Sequence, residues 1–279
     1  MIAPLPKNRI TESLPGELQW KAQSWSPTWF YNFAQPINTV FCAIPKNGCK
    51  TLKRFMLAAS RFPLETLAHP SEVHPVAAEQ YSLSNLSREA RLEALQASYR
   101  TVFLRDPVTR LVSGFADKVV RRPGRPENAA MYEEISSAES LAAPLDGTRG
   151  ITFREFVHYT LRVPSDELDT HWKPQTCFTL DRDFDFVGRV ERMADDLTKL
   201  ADLLGVATDK IKRHEQSALA AWNGPPLTDV PAADLNAQGI LPSRNALVTP
   251  DLEEAIRWRY QEDDALLAHL APLSAESAA

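Results

Sequence analysis

A short apolar run followed by a helical pattern constrains the fold of this chain more than any other feature. Residues 40–44 (Val-Phe-Cys-Ala-Ile) form an uninterrupted apolar segment of the kind found in buried strands, and the segment stops at Pro45. Apolar side chains then recur with the spacing of an amphipathic helix, at Leu52, Phe55, Met56 and Ala59. The sequence therefore predicts a strand, a turn and a helix in succession.

A second unit of the same type begins with the apolar run 101–104, which ends at Arg105. Asp106 is a good N-cap, and Pro107 is a good first residue for the helix that follows. The polar face of that helix consists of Arg110, Ser113 and Asp117. Strands that alternate with helices predict an α/β fold with a central, mainly parallel sheet flanked by helices.

The remaining segments extend this pattern. Helices are predicted over about 151–162 and 191–204, with a strand at 184–187 between them and a last helix from Thr249. We expect a single domain over residues 1–279. Its parts are a core region over 39–205, a surface excursion at 121–149 and a C-terminal helical portion at 206–279. Excursions of this length are usually functional or disordered.

The charge balance argues against a protein whose whole surface binds nucleic acid. The 31 Lys and Arg residues against 36 Asp and Glu residues give a net charge of −5, whereas binding to phosphate backbones usually requires a basic excess. We therefore expect no nucleic-acid partner. Residues 250–279 carry this net charge, so the rest of the chain is neutral overall and can contain a local cationic site. The oligomeric state is left open.

The cysteine content and the hydropathy pattern suggest a compartment. The three cysteines, Cys42, Cys49 and Cys177, are an odd number and do not suggest a disulfide framework. The N-terminal region lacks the apolar stretch of a signal peptide, and no run of about 18 apolar residues occurs. We therefore expect a cytoplasmic protein with no integral membrane segment.

The turn between the first strand and its helix is rich in cations. It reads Pro-Lys-Asn-Gly-Cys-Lys-Thr over residues 45–51. Its cations and those just after it, with no acid among them, are Lys46, Lys50, Lys53 and Arg54. A helix N-terminus adds unpaired N–H groups and the positive end of the helix dipole, so we interpret the turn as a phosphate cradle. A basic surface turn without a ligand is the alternative. Because Cys49 rather than glycine precedes Lys50, the turn is not a Walker A loop.

A second anion site is predicted from Arg105 and Ser113. Arg105 ends a strand, and Ser113 follows about two helical turns into the next helix, a spacing that lets both side chains converge on one tetrahedral anion. The alternative is that Arg105 only pairs with Asp106 or Asp117.

Two segments together resemble the 5′-phosphosulfate and 3′-phosphate signatures of sulfotransferases. They are residues 44–54 (I-P-K-N-G-C-K-T-L-K-R) and residues 103–118 (F-L-R-D-P-V-T-R-L-V-S-G-F-A-D-K). The resemblance is to the carbohydrate sulfotransferase family of the chondroitin 4-O- and HNK-1 type, as a soluble, bacterial-type member. Further matching positions are residues 171–175 (H-W-K-P-Q), Cys177, residues 185–191, Asp195 and Asp196.

This resemblance implies a P-loop-like, three-layer α/β fold that binds 3′-phosphoadenosine 5′-phosphosulfate. The enzyme would transfer the sulfuryl group in line to a hydroxyl of a carbohydrate or glycoconjugate, with no metal required. Lys46 would contact the phosphosulfate and stabilise the leaving oxygen, and Arg105 and Ser113 would hold the 3′-phosphate. Further contacts to the phosphosulfate would come from the backbone of Asn47, Gly48, Cys49, Lys50 and Thr51 and from the Thr51 hydroxyl. Family members commonly have Ser or Thr where this chain has Lys50, so the contact of Thr51 is open.

The chemistry also needs a base for the acceptor hydroxyl, and histidine suits this role near neutral pH. His74 ranks first among the six histidines, because it lies between the two donor motifs, where related sulfotransferases place a histidine near the acceptor. His171 ranks second, because it belongs to a matching segment. His69 and Glu72 remain rivals to His74.

A basic cluster is a candidate for acceptor binding. Arg121, Arg122 and Arg125 follow the second motif and could receive an anionic glycan, although such a cluster is often only a solvated surface.

Two other functions stay open on the sequence alone. One is a P-loop-type, ATP-dependent kinase, which would not need a 3′-phosphate site. The other is a non-catalytic module that binds a nucleotide or a glycan.

Overall fold

The structure is a computed structural model that describes residues 27–138, 149–180, 183–207 and 222–276, and these fall into two units. The first unit comprises residues 1–105, 175–214 and 266–279, and the second comprises 106–174 and 215–265. The expectation of a single domain stays a prediction. Residues 139–148 of the predicted excursion, and residues 208–221 and 277–279 of the predicted C-terminal portion, lie outside the described residues.

Short strands and mostly short helices make up the described chain. The strands are β1 (Tyr31–Ala34), β2 (Thr39–Cys42), β3 (Tyr99–Leu104) and β4 (Phe186–Arg189). The α-helices are α1 (Cys49–Ala59), α2 (Val73–Gln80), α3 (Arg88–Ala97), α4 (Pro107–Phe115), α5 (Ala129–Ala138), α6 (Phe153–Arg162), α7 (Met193–Leu204), α8 (Ala232–Ala237), α9 (Arg244–Leu247), α10 (Pro250–Arg259) and α11 (Gln261–Glu276). A π-helical turn, Ala116–Val120, directly follows α4.

The four strands form one mixed sheet in the first unit, in the order β1-β2-β3-β4. The β1 strand is antiparallel to β2, whereas β2, β3 and β4 are parallel to one another. Thr101 at the centre of β3 lies opposite Phe41 of β2 and Phe186 of β4. The prediction of a mainly parallel sheet is therefore confirmed, and the carboxyl ends of its parallel strands meet at one edge.

Helices cover both faces of this sheet, because successive side chains of a strand point to opposite sides. On one face Val40, Cys42 and Val102 pack against Leu95 of α3 and Leu266 of α11. The other face carries aromatic side chains from the same strands, packed against α1, α2 and α7. The buried residues of that face are Phe41, Phe103, Phe186, Leu52, Phe55, Met56, Val73, Ala77, Leu197 and Leu200. The predicted three-layer arrangement is thus confirmed in this unit.

The second unit is helical around an aromatic core. Phe115 at the end of α4 lies 5.3 Å from Phe153 and 5.4 Å from Phe156 between ring centroids, and Phe156 lies 5.2 Å from Trp172. Helix α6 begins with a capping box, in which Thr152 accepts the Glu155 N–H and Glu155 accepts the Thr152 N–H.

The predicted last helix is wrong as one continuous element, because it breaks at Tyr260 into α10 and α11. Tyr260 is buried, and its hydroxyl donates to the Trp172 carbonyl at 2.6 Å. Three acidic residues then occupy the first turn of α11, where the helix dipole favours negative charge. The strand predicted at 184–187 occurs two residues later, as β4.

The predicted surface excursion also contains packed structure. Residues 126–128 form a 3-10 turn, and α5 follows with Met131, Tyr132 and Ile135 buried in the core of the second unit. Over residues 129–138 the segment is therefore a packed helix rather than a surface loop. None of the helices in the described ranges is long and apolar enough to cross a membrane.

Candidate anion-binding site

Residues 45–51, which we call the anion loop, join β2 to α1 through two unusual backbone conformations. Lys46 and Gly48 both have positive φ angles, of 67° and 68°. A side chain at Gly48 would be strained by this angle and would also collide with the Cε of Met193. Positive φ is uncommon for a lysine, so the surrounding contacts must hold Lys46 in this conformation.

The N-terminus of α1 is a site for an anion. No side chain among the described residues caps this helix at Gly48, and no acid lies in its first turn. The first N–H groups of α1, at Cys49, Lys50 and Thr51, therefore point out of the helix without a side-chain partner at the cap. The half-buried cations of the segment are Lys46, Lys50, Lys53 and Arg54. Burial lowers the pKa of Lys53, and the neighbouring Cys49 opposes this shift.

A buried pair of side-chain amides fixes the loop to the end of β3. The Asn47 side chain is 1% exposed and donates to the Phe103 carbonyl at 2.8 Å and to Gln175 Oε1 at 2.6 Å. Gln175 is 0% exposed; its Oε1 also accepts the Arg105 N–H at 3.0 Å, and its Nε2 donates to the Arg105 carbonyl at 2.9 Å. The loop and the end of β3 are therefore held by direct hydrogen bonds.

Arg105 reaches the anion loop with its side chain as well. Its Nη1 donates to the Lys46 carbonyl at 2.9 Å. The two carboxylates considered as its alternative partners form ion pairs with other arginines. Asp106 lies 3.1 Å from Arg257, and Asp117 lies 3.6 Å from Arg121. The structure thus brings Lys46 and Arg105, the leading residues of the two predicted anion sites, to the same edge of the sheet.

Ser113, the predicted partner of Arg105, lies on α4 in the second unit and is half-buried. The helix starts as predicted, because Asp106 accepts hydrogen bonds from the N–H of Thr109 at 2.8 Å and from its hydroxyl at 2.7 Å. Arg110, expected on the polar face, is instead 2% exposed and donates to the carbonyls of Thr170 and Lys173. The convergence of Ser113 and Arg105 on one anion stays a prediction.

The first-ranked base, His74, lies in the first turn of α2 and is half-buried. Its two rivals take part in local turn contacts. The His69 Nδ1 lies 2.6 Å from the Ser71 hydroxyl, and the Glu72 carboxylate accepts the Ala68 N–H at 2.9 Å.

The second-ranked base, His171, belongs to the second unit and is held by Asp169. Its Nδ1 lies 2.6 Å from Asp169 Oδ1, which also accepts the His171 N–H at 2.9 Å. Burial disfavours the charged form of Asp169, but the hydrogen bonds from His171 and the nearby positive charge of Lys118 together lower the pKa of Asp169. A carboxylate at Nδ1 fixes the ring orientation and leaves Nε2 as the nitrogen that can accept a proton.

The predicted glycan-binding arginines, Arg121, Arg122 and Arg125, are all exposed. They start just after the π-helical turn, and Arg121 lies 3.6 Å from Asp117. Their contact with an anionic glycan stays a prediction.

An exposed tryptophan borders a surface groove of the second unit. The groove has a volume of about 370 Å³ and lies between the C-terminal end of α6 and the junction of α10 and α11. Trp258 lines it and is 65% exposed. Arg259 forms part of the wall, because its guanidinium donates to the carbonyls of Thr160 and Val163.

Sequence reasoning did not assign a role to Gln175. The segment 171–175 was recognised as a matching motif, but its glutamine pairs with Asn47, 128 residues earlier in the chain. Periodicity carries no information about such a contact. The only signal was that a polar residue ends the matching segment.

The fold and this site define an α/β protein whose cationic, uncapped helix N-terminus lies beside an arginine at the end of a neighbouring parallel strand. A family model described as the sulfotransferase family matches residues 30–221. The chain therefore belongs to the sulfotransferase family.

Curated relatives carry the name carbohydrate sulfotransferase. Carbohydrate sulfotransferase 8 of Homo sapiens is 28% identical over 190 residues, which cover 64% of this chain and 45% of the relative. Carbohydrate sulfotransferase 9 of Homo sapiens is 27% identical over 178 residues, with 60% and 39% covered. Carbohydrate sulfotransferase 14 of Danio rerio is 23% identical over 211 residues, with 71% and 57% covered. The chain thus spans about half the length of the curated relatives it matches. No solved structure gives a significant match.

Proposed function

We propose that this protein is a sulfotransferase that moves the sulfuryl group of 3′-phosphoadenosine 5′-phosphosulfate to a hydroxyl of a carbohydrate or glycoconjugate. Family membership and the names of the relatives support the reaction and the acceptor class. The observation that carries the proposal is the joint position of Lys46, the N-terminus of α1 and Arg105, which suits a ligand with two phosphate groups.

The residues of the first unit fit both charged ends of the donor. The phosphosulfate suits the N–H groups at the start of α1 and the Lys46 ammonium, which would stabilise charge on the departing bridging oxygen. The 3′-phosphate suits the Arg105 guanidinium, with Ser113 as the proposed second contact. Among the described residues no cluster of His, Cys, Asp or Glu is placed to hold a metal ion. Metal independence and a cytoplasmic location stay predictions from the sequence.

Donor binding can be tested by calorimetry with adenosine 3′,5′-bisphosphate, the product left by the donor. We expect the wild type to bind, and Lys46→Ala and Arg105→Ala each to bind at least about tenfold more weakly, since each removes a charge-assisted contact. Arg88→Ala, which removes an exposed cation at the start of α3, is the matched control and should bind like the wild type.

Three results of this experiment would contradict the proposal. They are a wild type that does not bind the bisphosphate, site variants that both bind it as tightly as the wild type, and tighter binding of ATP than of the bisphosphate. The last result would favour the P-loop kinase.

The base can be identified by transfer of radiolabelled sulfate to a glycan panel. His74 has the support of its position between the donor motifs, and His171 has the support of its hydrogen bond to Asp169. Loss of the base should lower the rate by about a hundredfold or more. We expect this in either His74→Ala or His171→Ala, and not in His269→Ala, which alters an exposed histidine of α11. Unchanged rates in both variants would exclude both residues. A protein that binds nucleotide but transfers no sulfate would be a non-catalytic module.

The groove at Trp258 supports a sugar acceptor, because an exposed indole face can stack on a sugar ring. Trp258→Ala should raise the KM for the acceptor in the same transfer assay. The matched control is Trp29→Ala, which removes another exposed tryptophan, 49% exposed, from the first unit. Equal KM values for the acceptor in the two variants would show that Trp258 does not contribute to acceptor binding.

A further inference from the structure

We propose that Gln175 is a positioning residue that holds the anion loop and Arg105 in one arrangement, so that the two phosphate groups of the donor are bound together. This inference rests on the proposed function. Gln175 itself does not touch the ligand in this proposal. It acts through the loop backbone at Asn47 and through the main chain of Arg105.

The hydrogen-bond chemistry leaves one orientation for both amides. The Asn47 Nδ2 faces two acceptors, the Phe103 carbonyl and Gln175 Oε1, so an NH₂ group must lie there. The Gln175 Oε1 accepts from Asn47 and from the Arg105 N–H, while its Nε2 donates to the Arg105 carbonyl. Glutamine supplies both an acceptor and a donor here, whereas a carboxylate would offer only acceptors.

The Gln175 side chain takes the place of a neighbouring strand. The pairing of β3 with β4 ends at Leu104, opposite Arg189. Arg105, the next residue, has its N–H and its carbonyl bonded to the two ends of one carboxamide. The Arg105 main chain is therefore held beyond the end of the sheet. The buried Gln175 side chain thus fixes the backbone position from which the Arg105 side chain extends.

The same network supports the strained part of the loop. Lys46 keeps its positive φ while its carbonyl accepts from Arg105 Nη1, and the next residue, Asn47, is anchored by its side chain. A sparsely populated backbone conformation persists only where neighbouring contacts determine it. Release of Gln175 would therefore loosen Lys46 and Arg105 together, although their own side chains are unchanged.

The test compares two nucleotides that differ only in the 3′-phosphate, adenosine 3′,5′-bisphosphate and adenosine 5′-monophosphate. The dissociation constant of the monophosphate divided by that of the bisphosphate measures how much the 3′-phosphate adds to binding when the 5′-phosphate is bound. Gln175→Met removes the three hydrogen bonds named above at similar side-chain size. We expect this ratio to fall about tenfold in the variant, because the 3′-phosphate would no longer meet a correctly placed Arg105. A lower folded fraction would weaken both nucleotides equally and leave the ratio unchanged.

Two further variants complete the experiment. Gln175→Glu keeps the shape and the acceptor oxygen but places a second acceptor against the Arg105 carbonyl and adds a negative charge, so its ratio should also fall; it serves if Gln175→Met does not fold. Thr179→Val is the control, since it removes a buried hydroxyl of the same segment that donates to the Thr176 carbonyl at 3.1 Å. Its ratio should equal that of the wild type.

The outcomes separate this inference from the proposed function. A wild type that binds neither nucleotide contradicts the proposed function. A wild type that prefers the bisphosphate, together with unchanged ratios in the folded Gln175 variants, overturns the role of Gln175 alone.

Discussion

Two polar clusters of this molecule are built from different kinds of groups. In the first unit the amides of Asn47 and Gln175 are fully buried and neutral, and they bond to each other and to main-chain groups. In the second unit Asp106 lies 3.1 Å from Arg257 and 3.5 Å from Arg244, and all three side chains are partly exposed. Buried hydrogen bonds are costly to break, whereas exposed ion pairs contribute little. Neutral groups therefore fix much of the geometry of the anion site, together with the bond from the Arg105 guanidinium to the Lys46 carbonyl.

The largest effect is expected from Asn47→Leu, which breaks the neutral cluster. The substitution leaves the buried Phe103 carbonyl without its side-chain donor and removes one donor from Gln175. We expect a loss of about 3 kcal/mol in the free energy of unfolding, measured by urea denaturation.

Asn85→Leu is its matched control. The Asn85 side chain also donates to two carbonyls, those of Ala78 and Glu79, but it is exposed. Water can replace these bonds, so the loss should stay below about 1 kcal/mol. Equal losses at the two positions would refute the distinction between buried and exposed polar groups.

A smaller effect is expected from Gly48→Ala. The positive φ disfavours alanine, and the new methyl group meets the flexible end of Met193, so the free energy of unfolding should fall by about 2 kcal/mol. Gly205→Ala has the same φ problem, at 63°, with no atom nearby, and should cost about 1 kcal/mol. Adding Met193→Ala to Gly48→Ala should relieve the collision. If the Gly48 and Gly205 variants lose equal stability, the contact with Met193 is unimportant.

The smallest effect is expected from Asp106→Asn in the charged cluster. Partial burial disfavours the Asp106 carboxylate, but hydrogen bonds from Thr109 and Arg257 outweigh it and lower its pKa. A lowered pKa in the folded state adds stability above the ordinary value of about 3.9, and this stability is lost as the pH falls through the lowered pKa. Because asparagine still caps α4, the loss should be about 1 kcal/mol or less at pH 7. The free energies of unfolding of variant and wild type, from urea denaturation, should converge as the pH falls below the lowered pKa of Asp106, and a constant difference across the pH range would contradict the assignment to charge.

The parts of the fold that depend on neighbours in sequence were predictable. The apolar run at 40–44, the helical spacing from Leu52 and the cap at Asp106 led to β2, α1 and α4, since burial and capping leave a local pattern. The cationic turn was also recognisable, because its lysines lie within a few residues of one another in the sequence. Helix α2, which contains His74, was missed because its eight residues show only Val73 and Ala77 on the buried side.

The parts that depend on distant contacts were not predictable. Tyr260 continues a helical pattern in the sequence, yet its buried bond to the Trp172 carbonyl accompanies a break of the helix. The positive φ of Lys46 is determined by the fold, because lysine has no preference for it. Gln175 belongs to the same class, since its partners come from two other segments of the chain.

The neutrality of the Asn47 and Gln175 amides has a consequence for how the protein responds to salt. Dissolved ions screen the attraction between the lysines of the anion loop and a charged nucleotide, but they act weakly on buried hydrogen bonds between uncharged groups. The ionic strength of a cell should therefore tune the affinity for the nucleotide while the shape of the loop stays constant. In a salt titration, the slope of the logarithm of the binding constant against the logarithm of the salt concentration would then report the ligand charge that the site neutralises. A change in the shape of the loop would not contribute to this slope.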